Sequence, residues 1–280
     1  MEIVRTIPAL GEYLEHREGS RGFVPTMGAL HQGHISLVEI ARRENDTVIV
    51  SIFVNPTQFN DPRDLERYPR TEKADLQLLA AAGTDVVFAP SVKEIYPEPD
   101  RRRFDFGPLE KVMEAAHRPG HFNGVAQVVS RLFDIVRPDR AYFGEKDFQQ
   151  IAVIEALVEK LGMDVDIVRC PIVRAQDGLA LSSRNILLTP AQREAAPEIY
   201  RALKEVAARI RAGRDVEEAK RWARAEIDRN PFLETEYLEV ADPHTLSDIA
   251  EPAGKNRIFA AIKCGDVRLI DNIGVEEEVL

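Results

Sequence analysis

The stretch Gly22-Phe-Val-Pro-Thr-Met-Gly-Ala-Leu-His-Gln-Gly-His34 sets the terms for the rest of the chain. Gly22, Phe23 and Val24 read as the end of a short buried strand, and Pro25, which has no N–H, should stop it. From Ile35 onward, Ile35, Leu37, Val38 and Ala41 fall at helical spacing. A tight turn containing Gly28 and Gly33 must link the two, since glycine admits positive φ and close approach of a ligand. The unpaired N–H groups and partial positive charge of a helix N-terminus suit phosphate. Two histidines, His31 and His34, sit in this turn as H-x-G-H. Metal-binding pairs on one helical face stand four residues apart, so the spacing argues against zinc. It suits two imidazoles donating to one phosphate chain. A bare H-x-G-H is also compatible with two incidental loop histidines; the flanking strand, helix and glycines favour a nucleotide-phosphate site.

The following segments repeat the strand-then-helix alternation. Residues 47–54 are a near-continuous β-branched run, the mark of a parallel strand buried on both faces. Ligands of such sheets bind beyond the carboxyl ends of the strands, so Asn55 and Gln58 become candidates for the same crevice as the histidines. An Asn before Pro often bonds only its own turn; Gln58 is harder to explain that way. Residues 71–83 read as a helix with a Thr start and a Gly stop, and 85–89 as a third strand. Residues 90–103, rich in proline and charge, read as a mobile connection or flap, with Arg101, Arg102 and Arg103 in solvent. A second polar turn, Arg118 to Gly124 with His121 inside it, feeds a strongly amphipathic helix. A short strand at 141–143 stops at Gly144, Glu145, Lys146 and Asp147, and a helix over 148–161 carries Gln150 in its first turn. Lys146 is a point charge where phosphate would lie. With a further strand at 164–170, the alternation predicts an α/β fold: a Rossmann-like, doubly wound parallel sheet.

Beyond it the pattern changes. Ser182, Ser183 and Arg184 place two hydroxyls beside a guanidinium, a compact oxyanion-binding loop or a polar surface loop. Thr189-Pro190-Ala191-Gln192 is a capping-box start with proline at the first helical position. Two long helices are expected at 190–212 and 215–229, with Trp222 in the core, then strands at 237–241, 257–262 and 267–271. Helices followed by a small antiparallel sheet predict a smaller C-terminal α+β domain, 173–280, after a nucleotide-binding domain, 1–172. Phosphate-type elements on both sides of that boundary lead us to expect a cleft that closes on its substrate.

Composition narrows the function classes. At 280 residues, 44% of them hydrophobic, the chain can bury a substantial core. A net charge of −10 makes a poor general nucleic-acid binder, though a local basic pocket for one nucleotide stays possible. No apolar run is long enough to span a membrane, and no secretory signal is evident, so a cytoplasmic protein is expected. Cys170 and Cys264, each after an apolar run, read as buried free thiols.

Seven segments in order, PTMGALHQGH (25–34), SIFVNPTQF (51–59), YPRT (68–71), RPGHFNGV (118–125), FGEKDFQQ (143–150), DGLALSSRN (177–185) and RLIDN (268–272), give the chain a close resemblance to the pantothenate synthetase (pantoate–β-alanine ligase) family. That family belongs to the nucleotidylyl transferases that share the H-x-G-H turn with class I aminoacyl-tRNA synthetases. The resemblance implies ATP-dependent ligation of pantoate and β-alanine through a pantoyl adenylate. It assigns ATP binding to Met27, Gly28, Ala29, Leu30, His31, Gln32, Gly33 and His34, to Gly144, Glu145, Lys146 and Asp147, and to Val173, Leu181, Ser182, Ser183 and Arg184. Lys146, Ser182, Ser183 and Arg184 would contact phosphates, and His34, with His31 beside it, would donate a proton. Gln58 and Gln150 would hold pantoate, with Asn55, His121 and Arg118 lining its pocket; Gln58 would also place β-alanine. ATP implies magnesium, for which Asp75 matches an acidic position near the metal, beside Ala74. The lysine of the synthetase loop is replaced by Ser182-Ser183-Arg184. A homodimer without nucleic-acid or membrane partners is also implied. Another H-x-G-H nucleotidylyltransferase, a tRNA synthetase fragment and a non-catalytic nucleotide binder are the competing classes.

Overall fold

The computed structural model describes residues 1–249 and 255–276. Two compact units make up the chain. The first comprises Met1–Phe106, Arg118–Glu145 and Gln150–Ile172; the second comprises Gly107–His117, Lys146–Gln149 and Val173–Leu280. The second unit thus starts at Val173 but also takes up two short segments that the sequence pattern places in the first domain.

The first unit is built on six strands: β1 (Glu2–Val4), β2 (Arg21–Thr26), β3 (Thr47–Ile52), β4 (Val86–Phe88), β5 (Arg140–Gly144) and β6 (Asp166–Cys170). They are ordered β1-β4-β3-β2-β5-β6, and every pairing is parallel. This is the expected doubly wound sheet. From β2 the chain steps outward one way through β3 and β4, then returns to β2's other side for β5 and β6. The order therefore reverses between β2 and β5, where open α/β sheets bind their ligands. The H-x-G-H turn leaves the carboxyl end of one of these strands, and Gly144 ends the other. Val24, Val38, Val48 and Val50 have no exposed surface and join one apolar cluster, the burial that fixes a central strand pair against its helix.

Pro25 does not end β2. The strand pairs with β3 through Thr26, while its pairing with β5 covers only Gly22 and Phe23. Pro25 lies beyond that second partner, where a missing N–H is tolerated as on an edge. The helix expected at 71–83 is Glu72–Ala81, closed by Gly83 at φ +81°. Thr71 precedes it but gives no side-chain cap; its hydroxyl donates to Asp75 Oδ1. The segment 90–103 contains one helical turn, Val92–Ile95.

In the second unit β7 (Leu233–Ala241), β8 (Arg257–Cys264) and β9 (Val267–Gly274) form an antiparallel sheet in that order. The helices Glu198–Arg211 and Val216–Ile227 bury Leu203, Val206, Ala207 and Ala223 in one core with Leu238, Val240 and Ile262. The first of the two long helices expected here is broken: Pro190–Ala195 and Glu198–Arg211 are separate, with Pro197 between them. Proline offers no N–H to carry the helical ladder across this point, although Ala196 before it keeps helical φ and ψ of −52° and −35°. Thr189 and Gln192 form the expected capping box, and both cysteines are buried and free.

Tyr142, on β5, is fully buried and ties the sheet to the end of the helix Gln32–Glu44. Its hydroxyl accepts from Asn45 Nδ2 at 2.6 Å and donates to Glu44 Oε2 at 2.8 Å. Burial is the main force that pushes this phenol up to about 12. The folded state therefore keeps a proton that the unfolded chain gives up near its ordinary value of 10.0, so this contribution is intact below pH 10.0 and is lost as pH rises toward about 12. Tyr142→Phe should cost about 1 kcal/mol at neutral pH. It should also flatten the fall in urea midpoint above pH 10, and an unchanged alkaline slope would show that the hydroxyl is not what titrates.

Candidate functional site

The H-x-G-H turn is more tightly specified than its sequence suggests. The helix Gln32–Glu44 begins at Gln32, so Gly33 lies inside its first turn and Gly28, at φ +81°, supplies the left-handed geometry. Ala29 follows at φ +50°, a conformation uncommon for a residue with a side chain. His31 is the N-cap: its Nδ1 accepts from Gly33 N at 3.1 Å, and His34 Nδ1 accepts from His31 N at 3.3 Å. The two histidines thus form a reciprocal capping box, a role ordinarily filled by Ser or Thr with Glu or Gln. Their rings lie 4.1 Å apart between centroids. With both Nδ1 atoms accepting, the neutral rings carry their hydrogens on Nε2. Two N–H donors fixed in tautomer at a helix N-terminus are equipped to meet an oxyanion.

Asp75 holds the turn from below. It is 1% exposed; Oδ2 accepts from Ala29 N at 3.0 Å and Oδ1 from Leu30 N at 2.9 Å and from the Thr71 hydroxyl at 3.0 Å. The carboxylate that the resemblance linked to magnesium therefore supports backbone. Among the described residues no group of three His, Cys, Asp or Glu side chains stands close enough to hold a metal. These residues do not fit a resident metal ion.

The amides after β3 divide into a support and a presented group. Asn55 is 1% exposed. Its Oδ1 accepts from Thr57 N, Thr57 Oγ1 and Tyr96 Oη, and its Nδ2 donates to Gly124 O and Gln58 Oε1. An amide so fully engaged anchors the turn Pro56–Gln58. Gln58 is half-buried; its Nε2 donates to Met27 Sδ at 3.3 Å, which brings Gln58 and the H-x-G-H turn together. His121 is buried, and its Nδ1 donates to Gln58 O at 2.8 Å, so it too positions this turn. Gly124 completes the support: a Cβ there would stand 2.2 Å from Thr57 O and 2.7 Å from Gln58 N. Arg118, half-buried, accepts from His121 N through its carbonyl. Gln150 is half-buried in the first turn of the helix Phe148–Leu161, and Gly144 and Glu145 close β5.

In the second unit, Lys146 and Ser182 line one small cavity, of about 10 Å³, together with Asn185, Tyr200 and Asp271. The space has room for about one water and none for a phosphate. Lys146 Nζ stands 3.4 Å from Asp147 Oδ2. Ser182 caps the short helix Ser183–Leu187, its Oγ accepting from Arg184 N at 3.3 Å; as an acceptor it keeps its own hydrogen to donate. Ser183 is 8% exposed and Arg184 half-buried. The loop that carries them is a short hairpin, pinned by Leu181 N donating to Val173 O at 3.0 Å and by an Arg174–Ala180 bridge. Arg174, for which the sequence suggested no role, makes a forked pair with Asp271 at 2.6 and 2.9 Å and lies 3.7 Å above the Tyr200 ring. Burial raises the Asp271 carboxyl against the opposing pull of Arg174.

Residues 2–274 match the family described as pantoate-beta-alanine ligase. The chain belongs to that family. A curated pantothenate synthetase of Porphyromonas gingivalis is 52% identical over 282 aligned residues, covering 99% of this chain and 100% of the relative. The crystal structure of pantothenate synthetase from Thermus thermophilus superposes with a TM-score of 0.94 at 47% identity, over 99% of this chain and 100% of that one. A pantoate-beta-alanine ligase from Francisella tularensis, solved in complex with beta-gamma ATP and beta-alanine, gives a TM-score of 0.84 at 38% identity, over 99% of each chain. Membership makes the chain an enzyme of the ligase class. None of the described helices is long and apolar enough to cross a membrane.

Two substitutions test the supports. Asp75→Asn keeps one acceptor oxygen but sets an NH2 donor against one of the two backbone N–H groups of Ala29 and Leu30, and should cost about 1–3 kcal/mol in urea unfolding. It should leave the magnesium concentration for half-maximal activity unchanged, whereas a large shift would make Asp75 a metal ligand. Gly124→Ala should keep the helix content but weaken ligands that depend on Gln58; equal ligand affinity in the variant would mean the turn at 56–58 can move without consequence.

Proposed function

We propose that the protein joins pantoate to β-alanine at the expense of ATP, through an enzyme-bound pantoyl adenylate. In the first step a pantoate carboxylate oxygen attacks the α-phosphorus, a P–O bond forms, and the bond to pyrophosphate breaks. In the second the β-alanine nitrogen attacks the acyl carbon, AMP leaves with the C–O bond electrons, and the nitrogen loses a proton. A free carboxylate is a poor acyl donor at neutral pH, and adenylation supplies the leaving group. The enzyme's part is positioning and donation of hydrogen bonds to charge that grows on phosphoryl oxygens.

The observation that carries this reading is the histidine capping box. It presents Nε2–H donors from His31 and His34 at the carboxyl end of a central strand, next to the sheet's reversal point. Family membership supports the choice of substrates, and the ATP and β-alanine named for the Francisella tularensis relative support theirs. In this reading the turn 27–34, with Gly144 and Glu145, receives ATP, and Lys146, Asp147, Val173, Leu181, Ser182, Ser183 and Arg184 complete its contacts. Gln58 and Gln150 hold pantoate through its hydroxyl and carboxylate, and Gln58 helps to place β-alanine. The second unit acts as a lid domain. Magnesium accompanies the ATP phosphates as part of the substrate, the usual habit of an ion that keeps its waters and binds through phosphate. A homodimer and a cytoplasmic location belong to the same proposal and rest on the family likeness.

The decisive measurement is exchange of labelled pyrophosphate into ATP without β-alanine. Exchange that requires pantoate is expected; pantothenate formation from all three substrates with no exchange would exclude a free-standing adenylation step. His34→Ala should still fold, the lost cap on His31 N costing about 1 kcal/mol, and should lose exchange about 100-fold or more, the scale of a lost transition-state donor. Retained turnover would remove His34 from the chemistry. Gln58→Ala should raise the KM for pantoate more than that for ATP, and equal increases would contradict its assignment.

A further inference from the structure

Strand β9 is an edge strand, paired only with β8, and its inward residues Val267, Leu269 and Ile273 belong to the apolar core of the second unit. Asp271 shares that inward register, a carboxylate 6% exposed between Leu269 and Ile273. With Arg268 and Asn272 it gives β9 three polar side chains, and each takes hold of a different piece of chain.

Arg268 makes a forked pair with Glu114, Nη1 to Oε2 and Nη2 to Oε1, both at 2.7 Å, and so captures the segment Gly107–His117. Tyr237 Oη donates to the same carboxylate at 2.8 Å. Asp271 captures Arg174, at the base of the hairpin that ends in Ser182, Ser183 and Arg184. Asn272 is 2% exposed; its Nδ2 donates to Lys146 O at 3.1 Å, while its Oδ1 accepts from Arg257 Nε at 2.7 Å. Gln149 links two of the captured pieces. Its Oε1 accepts from Glu114 N at 2.9 Å, and its Nε2 donates to Leu109 O and Val112 O.

These contacts lie within the second unit, and two of them reach directly to segments that bear the proposed phosphate ligands. We infer that β9 is a positioning strand for the ATP phosphates: Asn272 acts through the backbone of Lys146, and Asp271 acts through Arg174 on the hairpin carrying Ser182, Ser183 and Arg184. The physical reason is reach. A lysine ammonium rides on a flexible four-carbon stem, so its placement depends on how firmly its backbone is held. A carbonyl fixed by a buried amide supplies that hold, and a donor buried beside the core loses much if its partner shifts. The inference rests on the ligase reading above for the role of Lys146.

The test is a double-mutant cycle on Asn272 and Lys146, read by pantoate-dependent pyrophosphate exchange. Asn272→Asp has the same shape but sets a carboxylate oxygen against the Lys146 carbonyl. It should lower exchange about 10- to 100-fold and raise the KM for ATP, with the KM for β-alanine unchanged and the melting profile cooperative. Lys146→Ala should lower exchange at least as far. In the Lys146→Ala background, Asn272→Asp should cost no more than about twofold further, since its effect passes through the missing ammonium. Wild-type exchange rates in Asn272→Asp, or losses that multiply in the double variant, would overturn the inference. Should the aspartate variant not fold, Asn272→Ser takes its place in the same cycle under the same criteria. A wild-type protein that shows no pantoate-dependent exchange would instead defeat the ligase reading itself, before any variant is compared.

Discussion

A carboxylate almost out of contact with water, accepting hydrogen bonds from two successive backbone N–H groups, is the constraint on which the first unit's chemistry depends. Asp75 holds Ala29 and Leu30 where Ala29 has left-handed geometry. One residue further on, His31 caps the helix and His34 caps His31 in return. Each link fixes the next. The turn sets where the helix starts, the helix start sets which ring nitrogens accept, and those set which nitrogens carry the donor hydrogens. A carboxylate that held a metal would act on phosphate charge through the ion. This carboxylate works one step back, on the backbone that aims the donors.

The support under Gln58 follows a similar plan with different parts. Asn55, His121 and Gly124 are all visible as polar or glycine positions in the sequence. Two of them have little exposed surface and bond to the turn Pro56–Gln58, and the third has no room for a side chain against that turn. Supports and presented groups share residue types, because the hydrogen-bonding capacity that binds a ligand also binds a loop. In the second unit β9 does comparable work through Arg268, Asp271 and Asn272, whose partners lie 154, 97 and 126 residues away in the chain.

Local patterns are legible where one element decides its own form. The β-branched run of β3, the capping box at Thr189, the start of the helix Phe148–Leu161 and the buried thiols all follow from neighbours in sequence. Pro25 misleads because proline's effect on a strand depends on how many partners the strand has at that point, which no local pattern states. Pro197 escapes notice because the apolar spacing on either side of it stays in phase. Arg174 and Asp271 carry a faint signal, an Asp at an inward register of an apolar strand, with no indication of its partner.

The order of residues alone specifies the alternation of strands and helices, the H-x-G-H turn, the set of motifs and hence the family. These depend on periodicity, turn chemistry and residue identity, which are written along the chain. Packing in three dimensions decides which partners each polar residue meets. It sets Asp75 against the backbone of Ala29 and Leu30, Asn55 and His121 against the turn that carries Gln58, and the segments around Glu114 and Lys146 in the second unit. The reason is that hydrogen-bond partners distant in sequence are chosen by packing, and a side chain's role is fixed by what reaches it.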